Sequence, residues 1–531
     1  MREKSVLGPA LVSAAGLVVL VIALVFTLVP MTTNGTAVPT GAFRAQQRLD
    51  DIAFELGSSP GARYSGTLTT TAIPDGAPRT VRFHDLVVAS TKNAQGAVTF
   101  ASHDAQYRQI GNYRYINGPA EIWSALFGGA PVLRQLDLAP TANKWSDLRF
   151  SGLPDLGLLL SPTMLAGRIG NTEQVEAPEP GPVLPAPNRG LPDARFWPTG
   201  DPPITAVGDD GVRVGAMETT FDPSTHKVTH IKGEFTRAGT RVSLDTDVTP
   251  LAAADLGGMF DDERSLVPSL ISVPAPGVPL AADDITTSAT GVCTTAACPF
   301  TVVASGAVDP GHAADMRGVA GHINYGLTVK FAVDAAAPGA VGGTCGRVVS
   351  VPFGGRTEIP CAATNLPPGT QQVKPETSIR YLPFVDLTED GLRSYIDSQE
   401  KAVALPIAMV RTGAKTGDAA RYNDQEAGLP SSYAVRQGDY LFDGVGPEGN
   451  LFVSFGPGYA DHVTAGRFDP NWPGTEQLRS QLTEQMAAAG DRRITYVSAE
   501  PETAAALGAL ATESGADPAR VQMFSVPLAD N

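Results

Sequence analysis

The first marked pattern along the chain is an apolar run at 6–29 that contains no charged side chain. Because a helix of about 20 residues spans the hydrocarbon core of a bilayer, this run predicts a transmembrane helix. Two basic residues precede the run, and none follows until Arg44. The positive-inside rule then predicts that residues 1–5 are cytoplasmic, with 30–43 as an exported polar tether. A cleaved signal peptide is the alternative, but its apolar core is usually only about 7–15 residues long.

Alternation of apolar and polar positions dominates residues 44–265. An amphipathic helix is predicted at 44–56, where apolar residues recur at helical spacing. Strand-like alternation follows at 63–71, 80–89, 98–102, 113–117, 212–221, 227–236 and 240–248. A proline-rich segment at 176–203 interrupts the strands. We interpret the whole stretch as one β-rich α+β domain with a proline-rich insertion.

Residues 275–383 show only strand and turn patterns, which predict a small β-sandwich. All four cysteines of the chain lie in this stretch, at Cys293, Cys298, Cys345 and Cys361. An even number of cysteines in an exported protein indicates disulfides. We favour local pairing, first with second and third with fourth, because each pair flanks a short turn. A zinc site is the alternative, but the spacing contains no CxxC.

The last part of the chain, 406–531, follows a predicted connecting helix at 387–405. Its helical and strand patterns alternate in the order α-β-β-α-β-α-β, which indicates a mixed sheet with helices on its faces. The predicted fold class is therefore a multidomain α+β protein. Its parts are a transmembrane helix, a β-rich mixed domain, a disulfide-containing β-sandwich and a C-terminal α/β domain.

The net negative charge of the chain bears on which partners it can bind. The 531-residue chain has a net charge of −16, and 406–531 alone carries nine Lys and Arg against sixteen Asp and Glu, a net charge of −7. An acidic surface repels the phosphate backbone, which argues against nucleic acid as a partner.

Three short pieces of the C-terminal part resemble a known family. They are Phe442-Asp443-Gly444, the turn Gly456-Pro457-Gly458-Tyr459, and Ala499-Glu500-Pro501-Glu502 before a predicted helix. In order and spacing these pieces resemble the restriction-endonuclease-fold toxin domains of bacterial polymorphic toxins. The resemblance covers less than a quarter of the chain and implies a restriction-endonuclease-like fold for 406–531.

The resemblance also implies metal-dependent phosphodiester cleavage, for which the family uses an Asp, a Glu and a Lys. The Asp matches Asp443, but the Glu position falls on Val453 and the Lys position on Phe455. Valine cannot bind a metal, and phenylalanine cannot donate a proton. We therefore expect a fold that has lost its catalysis and holds no metal or other cofactor.

A nuclease with relocated catalytic residues is the alternative, and it would use Mg²⁺. Glu426, on the helix before Asp443, is the acid that could approach it. Other residues that could replace the missing groups are Glu448, Asp461, His462 and Lys415.

A second resemblance concerns 44–265, where a curved antiparallel sheet carrying helices resembles the lipid-carrier lipoproteins of actinobacterial envelopes. It implies an apolar cavity for acyl chains. Our leading hypothesis is a membrane-anchored, extracytoplasmic protein of the bacterial envelope that binds a protein or lipid partner and is not an enzyme. A nuclease toxin and a lipid-binding carrier are the two alternatives.

Overall fold

The computed structural model describes residues 41–72, 78–127, 135–171, 204–237, 240–281, 285–291, 293–294, 296–312, 316–333, 341–364, 366, 373–413, 415–446 and 449–529. The predicted transmembrane run at 6–29 and the predicted insertion at 176–203 lie outside these residues. Within the described ranges, no helix is both long and apolar enough to cross a membrane. We therefore correct two predictions, the localisation as a single-pass protein of the cell membrane and the membrane as a partner.

One large antiparallel sheet is the main element of the described chain. Its eleven strands run in the spatial order β6-β5-β4-β3-β2-β1-β11-β10-β9-β8-β7. They are β1 Gly61–Ala72, β2 Arg79–Ala89, β3 Ala94–Phe100, β4 His103–Ile110, β5 Tyr113–Gly118, β6 Lys144–Asp147, β7 Ile204–Val207, β8 Gly211–Val214, β9 Met217–Phe221, β10 Val228–Arg237 and β11 Thr240–Leu251. The first and last of these strands pair in the middle of the sheet, with Tyr64 opposite Val248 and Leu68 opposite Leu244.

The predicted fold class, a multidomain α+β protein led by a transmembrane helix, is wrong because this sheet dominates. Strands from both ends of 61–251 share one buried face, since Tyr64, Leu68, Leu244 and Val248 are all in the core. The local pattern of alternation predicts most of these strands but misses β4, β6 and β7, and it does not show that all eleven join in one sheet.

Short helices cover the apolar face of the large sheet. They are α1 Gly41–Gly57, α2 Glu121–Leu126, α3 Leu156–Leu159 and α4 Pro162–Ile169. Helix α1 is amphipathic as predicted, and its Leu49, Ile52 and Leu56 are fully buried. Together with Trp123 and Leu165 these side chains fill the space over the sheet.

Residues 272–386 contain two further sheets with a core of their own. Their strands are β12 Ser272–Pro274, β13 Ile285–Ala289, β14 Ala297–Ser305, β15 Gly321–Val333, β16 Val341–Pro352, β17 Arg356–Thr364 and β18 Val373–Asp386. The sheet β12-β18-β15-β16 and the sheet β13-β14-β17 share a core that includes Phe300, Ile323 and Phe331. Two helices flank this part in the chain, α5 Gly257–Leu270 before it and α6 Glu389–Ala404 after it.

Both predicted disulfides are present, and the pairing is local. Cys293 is bonded to Cys298 near the start of β14, and Cys345 of β16 is bonded to Cys361 of β17. The second bond joins strands of two different sheets. Such bonds fit an oxidising, extracytoplasmic compartment.

The C-terminal part holds a mixed sheet with helices. Its elements are β19 Ala408–Arg411, α7 Gly417–Ala427, β20 Tyr433–Gln437, β21 Tyr440–Phe442, β22 Gly444–Val445, β23 Leu451–Phe455, β24 Val463–Thr464, β25 Arg467–Phe468, α8 Pro473–Ala489, β26 Ile494–Ser498, α9 Pro501–Glu513 and β27 Val521–Ser525. Strands β23, β26 and β27 are parallel, and β22 pairs with β23 in the antiparallel sense. Strands β19, β20 and β21 form a separate antiparallel sheet.

The C-terminal part packs directly on the helices of the large sheet. Arg411 of β19 donates two hydrogen bonds to Asp50 of α1, at 2.6 and 2.7 Å, and the Tyr433 hydroxyl donates a third at 3.0 Å. Gly428, which ends α7 with φ of +70°, lies against α4, where a Cβ atom would come within 2.4 Å of the Met164 methyl group. One continuous hydrophobic core therefore extends from the large sheet into the C-terminal sheets.

Candidate functional site

Asp443 lies at a bend between two sheets of the C-terminal part. It follows β21 and precedes β22, and its backbone N–H donates to the Phe452 carbonyl of β23 at 2.9 Å. Its side chain is only one-fifth exposed. The bend turns the carboxylate towards β23 and the segment before α7, so that partners from distant parts of the chain reach it.

Lys415 is the main partner of Asp443. Its Nζ donates to Asp443 Oδ1 at 2.7 Å, to Asn423 Oδ1 at 2.9 Å and to Ser454 Oγ at 3.1 Å. A lysine ammonium has three N–H donors and no acceptor. These three oxygens therefore account for the full donor capacity of Lys415.

Asp443 is also fully engaged through its second oxygen. Oδ2 accepts the backbone N–H of Ser454 at 2.7 Å and the Ser454 hydroxyl at 2.9 Å. Asn423 and Ser454 were not among the residues singled out from the sequence. The signal for Ser454 was nevertheless present, because it lies between the two positions where the family has its Glu and Lys.

Ser454 and Lys415 do not make a hydrolytic pair. A lysine that activates a serine must be uncharged to accept its proton. Here Lys415 instead donates to Asp443 in a salt bridge, with Nζ 2.7 Å from Oδ1. The arrangement is therefore a closed polar cluster, which we call the Lys415 cluster and define by Lys415, Asn423, Asp443 and Ser454.

Val453 and Phe455, the positions that the resemblance assigns to a Glu and a Lys, are part of the hydrophobic core. Val453 and Phe455 of β23 are only 9% and 7% exposed. The Phe455 ring packs against Tyr459 at 5.4 Å and Tyr496 at 6.3 Å between ring centroids. A glutamate or lysine at either position would place a charge among apolar side chains, which is strongly unfavourable.

Glu426 makes its described hydrogen bond elsewhere. Its Oε1 accepts from Gln425 at 2.8 Å. Burial raises the pKa of Glu426, while the Gln425 hydrogen bond and the positive charge of Arg237 on β10 act against that rise. The positive charge that acts on Glu426 is therefore that of Arg237, a residue of the large sheet.

The remaining candidates divide into three groups. Lys415 reaches Asp443, as described above. His462 stacks on Trp472 with ring centroids 4.1 Å apart, and Asp461 beside it is exposed. Glu448 lies outside the described residues.

Glu500 connects two of the three short pieces named in the sequence analysis, its own segment at 499–502 and the turn at 456–459. Its carboxylate accepts the backbone N–H groups of Gly458 and Ala460, both at 2.8 Å, and the Thr503 hydroxyl at 2.8 Å. Burial tends to raise the pKa of Glu500, but these hydrogen bonds outweigh it and lower the pKa below its usual value. Glu500 therefore holds the turn at 456–459 in place, which is a structural role.

The site does not fit the Mg²⁺ of the nuclease alternative. A divalent cation prefers several oxygen ligands that are free to bind it. Both oxygens of Asp443 already accept hydrogen bonds, and the Lys415 ammonium lies 2.7 Å from one of them. Among the described residues, no group of three or more His, Cys, Asp or Glu side chains could hold a metal ion.

A broad depression lies on the solvent-facing side of the large sheet. Its volume is about 890 Å³, and it is lined by polar side chains that include Arg82, His84, Asp104 and Gln106. The opposite, apolar face of the sheet is covered by α1 to α4 and their buried side chains. This depression is therefore not the apolar cavity that the lipid-carrier resemblance implies.

Comparisons with known proteins add little. No protein-family model matches the chain, and no curated protein matches it. Among solved structures, the MucA/MucB complex of Pseudomonas aeruginosa is 11% identical, with 63% of this chain and 99% of that chain covered. The TM-score is 0.15. Similarity this low carries no argument about fold or function.

Proposed function

We propose that this chain is an extracytoplasmic, disulfide-containing protein whose C-terminal part derives from a nuclease-like fold and binds a protein partner without catalysis. The Lys415 cluster is the observation that carries the proposal. The acid that would hold a metal is neutralised by a lysine, and the other two catalytic positions are apolar and buried.

The motif residues that remain support the same conclusion. Glu500 and the turn at 456–459 are retained and stabilise each other through backbone hydrogen bonds. Residues that maintain the fold are thus kept, while residues that would perform the chemistry are replaced. The net charge of −7 over 406–531 also opposes contact with a phosphate backbone.

An exposed sheet edge provides a surface for the partner. Strand β27 is the last strand of its four-stranded sheet, and its outer edge has no paired strand among the described residues. Phe524 is 50% exposed and Val526, directly after the strand, is 36% exposed. An open strand edge with apolar side chains binds an extended segment of another protein by adding it as a further strand.

DNA cleavage by the full chain tests the absence of catalysis. Incubation of plasmid DNA with Mg²⁺ or Mn²⁺ should give no cleavage above that of the buffer, with either the wild-type chain or the Asp443→Ala variant. Metal-dependent cleavage by the wild type that Asp443→Ala abolishes would overturn the proposal.

Crosslinking of the full chain to extracytoplasmic proteins tests the binding role. Replacing Phe524 by Ser should reduce recovery of a specific partner at least tenfold. Val348→Ser is the matched control, because Val348 is 83% exposed on β16, in a different part of the protein. Equal recovery with wild type and both variants would exclude the β27 edge, and recovery of no specific partner would argue against a binding role.

A further inference from the structure

We propose that the Lys415 ammonium is a built-in substitute for a bound cation, and that it keeps three converging oxygens free of metal. The inference rests on the non-catalytic character of the same site in the proposed function. It adds that three oxygens of the chain, which we call the oxygen cage, converge on one point, and that a side chain of the protein fills this point.

The cage is formed by oxygens from three separate elements. Asn423 comes from α7, Asp443 from the bend after β21, and Ser454 from β23. All three direct one oxygen to a single point, at 2.7 to 3.1 Å from Lys415 Nζ. A carboxylate, an amide carbonyl and a hydroxyl converging on one point form a donor set suited to a hard cation.

The orientation of Asn423 is determined by its second hydrogen bond. Its Nδ2 donates to the Leu429 carbonyl at 3.1 Å, so Oδ1 must face the cage. Asn423 is almost fully buried, which holds this orientation in place. The cage is therefore preorganised by contacts that do not involve Lys415.

Lys415 is held in the cage by its backbone as well as its side chain. Ser431 Oγ donates to the Lys415 carbonyl at 3.2 Å. The positive charge of the ammonium repels a second cation at the same oxygens. Removing the amine while leaving the three oxygens should therefore create a cation site.

The test compares three variants of the full chain in Mn²⁺ titrations. Lys415→Ala should bind Mn²⁺ with a dissociation constant on the order of 1 mM, the range of weak oxygen sites with little charge. At about 10 mM Mn²⁺ its unfolding temperature should rise by about 2 °C. Lys415→Met fills the cage with an uncharged side chain and should show no such rise. Lys401→Ala, on the exposed face of α6, is the matched control and should behave as the wild type.

The carboxylate provides the second check. Adding Asp443→Asn to Lys415→Ala should remove the response to Mn²⁺, because the only charged oxygen ligand is lost. Should Lys415→Ala fold only with Mn²⁺, the folded yield on refolding replaces the unfolding temperature, and its recovery must again require Asp443.

Absence of any Mn²⁺ effect on Lys415→Ala, in unfolding temperature or in folded yield, would overturn the inference. An equal effect on the wild type would overturn it as well. DNA cleavage is a separate measurement, so failure here and failure of the proposed function are distinguishable.

Discussion

Replacing Glu263 by Gln should make the protein progressively more stable than the wild type as the pH rises. Glu263 lies on α5 and is fully buried. Asn93 Nδ2 donates to its Oε2 at 2.8 Å. Burial raises the pKa of Glu263 from the usual 4.5 to about 8, although Asn93 and the positive charges of Arg108 and Arg264 act against that rise.

The direction of the effect follows from the protons bound in each state. Between the two pKa values the carboxyl group is protonated in the folded protein and ionised in the unfolded chain. The stability that it contributes is therefore complete below about pH 4.5 and is lost as the pH rises through about 8. Glutamine does not titrate, so the variant does not lose unfolding free energy in this way as the pH rises.

The two pKa values set the magnitude. The advantage of Glu263→Gln should grow from about 1 kcal/mol at pH 5 to about 4 kcal/mol at pH 8. Glutamine keeps an oxygen acceptor for Asn93 and nearly the same volume, so packing changes little. Urea unfolding of both chains across this pH range, followed by circular dichroism, measures the difference in the free energy of unfolding.

Glu234→Gln provides the matched control, since Glu234 is exposed on β10. The same chemical change there should leave the pH dependence of unfolding unaltered. If wild type and Glu263→Gln lose stability in parallel from pH 5 to pH 8, the assignment of a buried, protonated Glu263 is refuted.

Three further predictions concern contacts between distant elements. Arg411→Met removes two hydrogen bonds to Asp50 of α1, at the contact between α1 and the C-terminal part. It should cost about 2–3 kcal/mol of unfolding free energy. Replacing Cys345 and Cys361 by Ala opens a loop of 16 residues and should cost about 3 kcal/mol, measured by thermal unfolding. Glu500→Gln should cost about 1–2 kcal/mol at neutral pH. Because the folded pKa of Glu500 is lowered, this cost should shrink as the pH falls through that pKa.

Each of these predictions has a control of the same chemistry. Arg421→Met removes an exposed arginine of α7 and should change stability little. Removing the Cys293–Cys298 bond opens a loop of only 5 residues and should cost less, about 2 kcal/mol. Glu502→Gln alters an exposed glutamate two residues after Glu500. A control that matches its test variant in cost would contradict the stabilisation assigned to that variant.

Much of the local structure could be predicted from the sequence. The amphipathic pattern of α1 and most strands of the large sheet follow from side-chain periodicity within single segments, but β4, β6 and β7 were not predicted. The local pairing of the cysteines was also predicted and is present. The predicted strand at 212–221 is interrupted by a turn at Gly215, where φ is +56°, so it forms β8 and β9.

The predicted fold class, a multidomain α+β protein, was wrong because one large antiparallel sheet dominates the described residues. Sequence periodicity assigned 44–265 to one β-rich α+β domain but did not give the order of all its strands. In the structure β1 pairs with β11 along twelve residue pairs, which closes one large sheet. No signal within either strand specifies its partner.

At the candidate site, too, the identity of single residues could be predicted, whereas their contacts could not. Asp443, Val453 and Phe455 could be singled out from the sequence, because the resemblance depends only on which residue stands at each position. The contact of Lys415 with Asp443, across 28 residues, could not be established in this way.

The sequence by itself determined which side chain stands at each position and the local form of most segments. The tertiary structure decided which groups meet: Lys415 in the oxygen cage, Glu500 on the turn at 456–459, and Glu263 in the core. The physical reason is that periodicity acts within a few residues along the chain. The partner of a charge depends instead on how whole segments pack, and that packing is set by the combined burial of residues far apart in the sequence.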